Sequence, residues 1–158
     1  MMTMQRLVVA AALAIGMAAP ASAAITDPEV IIYRFPGVSD NGGAENVGIA
    51  TAFHCTNFSG ATETMRFVTR GSSGGLITNL THSIAHLQTI TAVTHVNAAY
   101  PHDLSLSTGG GASPGTTAIA ATSVNIVCTA MTIDAAATKP IGVALRGIRF
   151  SPAPGSQE

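Results

Sequence analysis

Short apolar segments recur along this chain between clusters of Gly, Asn, Ser and Pro, and the clearest of them alternates between larger and smaller or polar side chains. A period of two is the pattern of strands with one buried face. Val30 to Phe35 is the first such segment, closed by Pro36-Gly37. The turn cluster Ser39-Asp40-Asn41-Gly42-Gly43 follows, rich in residues that tolerate positive φ. Val47 to Cys55 then alternates, with Val47, Ile49, Thr51, Phe53 and Cys55 on one face and Gly48, Ala50, Ala52 and His54 on the other. Asn57 to Ala61 turns the chain, and a third strand is expected up to Arg70 from Met65.

Beyond the turn Gly71-Ser72-Ser73-Gly74-Gly75, strands are expected over Leu76–Ile84 and Thr89–Val96, meeting near His86-Leu87-Gln88. A helix over Thr81–Thr91 is the competing reading, and the Thr and Ile content weighs against it. Leu104 and Leu106 suggest a short edge strand, and Ser107 to Gly115 a Gly-rich loop. Ile119–Ala121 and Val124–Ile133 read as a hairpin-like pair, and Ile141–Phe150 as the last strand after the Lys139-Pro140 break. Seven to nine short strands with turns every ten residues or so predict an all-β fold. The expected architecture is an antiparallel β-sandwich, immunoglobulin-like or jelly-roll in type, over residues 25–150. Residues 151–158, with two prolines, are expected to form a flexible tail.

The N-terminus changes this picture. Arg6, an apolar run from Leu7 to Ala19, and Ala21-Ser22-Ala23-Ala24 are the three parts of a cleavable secretory signal, placed at 1–24. The run is about thirteen residues, against roughly twenty for a membrane span, so no span is expected after cleavage. The product is expected in the periplasm or the medium. Cleavage would remove Arg6 and leave six basic against eight acidic side chains, which is no electrostatic footprint for nucleic acid. The rest is rich in Thr, Ala, Gly and Val and has no Trp, a composition of strands and turns.

Cys55 and Cys128 are the only cysteines, each in mid-strand, in a chain bound for an oxidising compartment. They predict a disulfide joining an early strand to a late one, as inter-sheet bridges do in immunoglobulin-type sandwiches. The loop it closes spans about 73 residues. A pair of buried thiols or a metal pair is the rival reading.

Catalytic patterns fail on context. Thr51-Ala52-Phe53-His54-Cys55 and Gly71-Ser72-Ser73-Gly74-Gly75 resemble the histidine and serine segments of trypsin-type proteases, yet they lie 19 residues apart in a chain far too short for that double barrel. The same glycine cluster fits G-x-S-x-G around Ser73 without the strand–turn–helix elbow that motif needs. His82, His86, His95 and His102, with His54 beside Cys55, could hold Zn²⁺ or Cu²⁺. On a strand, however, His82 and His86 stand roughly 13 Å apart. Cys128 and Met131 lack the downstream His of a blue-copper site. The turn from Asp40 to Glu45 offers oxygens to Ca²⁺ without EF-hand spacing. Asn57-Phe58-Ser59 and Asn79-Leu80-Thr81 fit the glycosylation pattern. No catalytic, metal-ligating or cofactor-binding residue is nominated, and no cofactor is expected.

Phe53-His54-Cys55-Thr56-Asn57-Phe58, Ile126-Val127-Cys128-Thr129-Ala130-Met131 and the closing Arg149-Phe150 resemble uncharacterised small exported bacterial proteins with a two-cysteine β-domain. That resemblance implies export and a bridged β-domain and no activity. The leading expectation is a non-catalytic exported binding or structural module, working on a protein or surface partner or by homo-oligomerisation. A pilin-like variant lacks the alternating aromatic C-terminal strand, because this chain closes on Pro152-Ala153-Pro154-Gly155. The alternative is a small secreted metal-binding protein or hydrolase using the His82–His102 cluster.

Overall fold

A computed structural model describes residues 29–42 and 44–150; the expected signal at 1–24 and the expected tail at 151–158 lie outside the described residues. The strands are β1 (Val30–Val38), β2 (Ile49–Asn57), β3 (Glu63–Arg70), β4 (Leu76–Ile84) and β5 (Thr89–Val93). They continue with β6 (Leu104–Ser105), β7 (Gly115–Ala121), β8 (Ile126–Asp134), β9 (Gly142–Leu145) and β10 (Ile148–Arg149). Two five-stranded sheets face each other, ordered β10-β1-β7-β3-β4 and β6-β5-β2-β8-β9. The expected all-β sandwich is therefore the fold, with one exception to its antiparallel pairing: β6 runs parallel to β5.

Alternation explains the two layers. On β3, Met65, Phe67 and Thr69 are buried while Thr64, Arg66 and Val68 point the other way. Phe35 from the first sheet meets Phe53 from the second edge-on at 5.6 Å, and Phe53 meets Phe67 of the first at 6.0 Å. Three fully buried Phe rings thus interdigitate across the layers. Each contributes about 1.5–3 kcal/mol of burial. Ile32, Met65, Ile84, Ile90, Ile119 and Ile126 fill the space around them.

Several expectations about connections are corrected. Within a sheet, chain-consecutive neighbours are β3–β4, β5–β6 and β8–β9; every other connection crosses between the layers. The segments expected as a hairpin, β7 and β8, lie in different sheets. The expected single strand Ile141–Phe150 is two, β9 in the second sheet and β10 in the first. Gly147 makes that step: a Cβ there would stand 2.4 Å from the Phe35 ring, so only a residue without a side chain crosses at this point. Pro36-Gly37 does not close β1. The strand passes them through a register shift and pairs on to Val38, a bulge being one of the places where a sheet accepts proline.

Candidate functional site

Cys55 and Cys128 are bonded, as expected, but not between sheets. Both lie in the second sheet, directly opposite on β2 and β8. Their Cα atoms are 4.2 Å apart, close to the narrow spacing of a non-hydrogen-bonded antiparallel pair. The bridge staples two strands that already pair over their full lengths, because the crossover after β7 sets β8 beside β2.

The histidines disperse. His82 is on β4 in the first sheet, opposite Met65, and His54 is on β2 in the second. His86 lies in the exposed turn after β4, where its Nδ1 accepts from the Gly60 N–H. His102 precedes β6. Among the described residues no three His, Cys, Asp or Glu side chains converge on a point where a metal ion would sit. Ser73 belongs to the β3–β4 hairpin turn, where the Gly71 N–H donates to the Gly75 carbonyl and the Gly74 N–H to that of Gly71. Asn57 is fully buried, and its amide donates to the Ala61 and Ile84 carbonyls, so it is a structural clamp.

His95 and Asp40 form a loop knot at one end of the sandwich. His95 places Nδ1 3.0 Å from the Asp40 carboxylate and Nε2 3.1 Å from the Val47 carbonyl. Thr108 Oγ1 donates to the other carboxylate oxygen, and the Gly42 N–H to the first. Burial by itself raises the pKa of Asp40; the hydrogen bonds from Thr108, Gly42 and Gly110 and the nearby His95 outweigh it and hold the carboxyl below its ordinary value. The loops meet closely enough that a Cβ on Gly110 would stand 2.6 Å from the Gly42 Cα. With both oxygens of Asp40 engaged, the suggested calcium turn is instead the fastener of three loops.

The two outer faces differ. On the second sheet a loop folds over Ala50, Ala52, Val93 and Ile133 as a small second core. Tyr100 from that loop stands edge-on to His54 at 4.7 Å and donates its hydroxyl to Met131 Sδ. Burial there holds the His54 pKa below its ordinary value. Beside this core, at the β9 edge, lies an open apolar recess of about 540 Å³ that includes Ile49, Ile141 and Val143.

The outer face of the first sheet carries arginine. Register puts Arg34 of β1 opposite Ala118 of β7, which in turn faces Val68 of β3. Arg66 is opposite Ala120 and Arg70 opposite Thr116. Three long cationic side chains therefore stand around Ala118, framing with Ile31, Val68, Thr116 and Ala120 a recess of about 210 Å³. These are half of the six Lys and Arg that follow residue 24. Arg66 donates through Nε to the Glu29 carboxylate at 2.5 Å. Arg70 donates to the Gly74 carbonyl, and the Arg34 guanidinium lies 5.5 Å from the centre of the Phe150 ring.

Sequence reading did not single out this trio. Arg66 and Arg70, four apart on an alternating strand, show a common face by spacing alone. Arg34 joins them only because β7 separates β1 from β3. Comparison with known protein families, characterised proteins and solved structures finds no match to this chain.

Proposed function

We propose that this protein is a non-catalytic exported binding module that meets its partner with the outer face of its first sheet. The observation that carries the reading is the recess framed by Arg34, Arg66 and Arg70, where three cations project from one sheet face beyond the core. The contrast with the second sheet supports it, because that face is largely taken up by the protein's own loop. Export accords with the disulfide and with the leader-like N-terminus.

Site-specific photo-crosslinking tests the reading. A benzophenone side chain at Thr81, exposed opposite Arg66 on the first sheet, is compared with one at Val127, exposed on the second. On protein displayed in its own exported fraction, adducts are expected from Thr81 and not from Val127. The absence of any adduct from Thr81 would sink the reading.

A second reading, self-assembly, has its own observation. Among the described residues β9 has a strand neighbour on one side only, it is short and uncharged, and Ile141 and Val143 are 73% and 72% exposed. Edges of this kind pair with other chains. Sedimentation velocity of the wild type is expected to show a concentration-dependent dimer that Val143→Lys abolishes. A wild type that stays monomeric at all concentrations removes this reading.

A further inference from the structure

We infer that the arginine recess takes an acidic peptide segment in extended conformation, a ligand class that rests on the binding reading above. Ala118 lies under the centre, with Arg34 on one flank and Arg66 and Arg70 on the other. β1 and β3 are two strand spacings apart, about 10 Å, and Arg66 and Arg70 are separated by about 13 Å along β3. An extended peptide laid along β7 has the same repeat as the sheet beneath it. Carboxylates at its positions i and i+4 meet Arg66 and Arg70, while one at i+2 leans to Arg34.

The side-chain chemistry fits. Guanidinium groups present planar forks that match carboxylates. The chain itself seats one carboxylate here: Glu29, just ahead of β1, occupies Arg66 from the side. Glu29 thus marks the kind of group the recess accepts and competes for one of its three cations. The lining around Ala118, made of Ile31, Val68, Thr116 and Ala120, holds no aromatic platform on which a sugar ring or a base would stack.

The test is fluorescence anisotropy with a short labelled peptide of alternating Glu and Ala, beside its Lys and Ala counterpart and a labelled polygalacturonate chain. The wild type is expected to bind the acidic peptide, more weakly as salt rises. Arg34→Ala with Arg70→Ala is expected to weaken it about tenfold, about 1.4 kcal/mol for the two rim charges together. Glu29→Gln is expected to tighten it a few-fold by freeing Arg66. Arg34 and Arg70 are exposed, so the double variant keeps its fold, and an unchanged melting temperature verifies this. Equal affinity in wild type and double variant overturns the proposal. Equal binding of polygalacturonate overturns the peptide occupant. If no acidic probe binds while Thr81 still yields adducts, the ligand class fails and the binding reading stands; if both are lost, both fail.

Discussion

Asp40 shows how much a single buried side chain organises. Its carboxylate is fully inaccessible, and Thr108, Gly42 and His95 converge on it from separate loops. Asp40→Asn keeps the shape and removes the charge, and is expected to cost about 2–3 kcal/mol in chemical denaturation. Its pKa is depressed in the folded protein, so the stability it contributes is full above the ordinary carboxyl value of 3.8 and lost as pH falls through the folded value. The variant should therefore show a flatter acid limb than the wild type. His54 works in a higher range. Burial keeps its ring neutral, so its share of stability is complete above the ordinary value of 6.5 and declines as pH falls through the lower folded value. Denaturation midpoints taken from about pH 7 down to pH 5 are expected to fall more steeply for the wild type than for His54→Gln. Parallel slopes would contradict this account.

At the scale of elements, the last segment of the described chain is the most constrained. β9 borders β8 in one layer and β10 borders β1 in the other, so these few residues close one side of the sandwich. Gly147 allows it by leaving room for the Phe35 ring. Gly147→Ala is expected to destabilise by about 1–3 kcal/mol through overpacking, and more than Gly75→Ala, where a Cβ would meet nothing nearer than the Ser73 hydroxyl at 3.8 Å. Thermal melts of the two variants decide it. Individual strands were legible in the sequence because alternation belongs to one strand at a time. Leu76–Ile84 is predicted to the residue, and Met65 and Phe67 fall on the core side. The helix weighed for Thr81–Thr91 is absent, as the β-branched content argued.

The whole molecule was less legible, for a physical reason. Which strands are neighbours depends on how connections cross between layers, and nothing local in Ile119 or Val124 records that β7 and β8 part company. The bridge between an early and a late strand was legible, its place within one sheet was not, and the expected hairpin failed for the same reason. The arginine trio was hidden likewise, since Arg34 and Arg66 become neighbours only through β7. The same long-range pairing bears on kinetics. β1 bonds to β7 and β2 to β8, partners from opposite halves of the chain, so refolding of the oxidised protein is expected on the millisecond-to-second scale of sandwiches by stopped-flow fluorescence. Replacing both cysteines by Ala is expected to cost about 4 kcal/mol, from a separation of 73 residues, with little change at the recess on the other sheet.

The placement of that bridge has one more consequence. Cys55 and Cys128 face each other across a strand pair, both turned toward the core. If β2 slid past β8 by a single residue, one sulfur would point inward and the other to solvent, beyond the reach of a bond. Closing the covalent link therefore proofreads the alignment of the two central strands. An oxidant working on the half-folded chain acts as an inspector, sealing the chains that are in step and leaving misaligned ones open to another attempt.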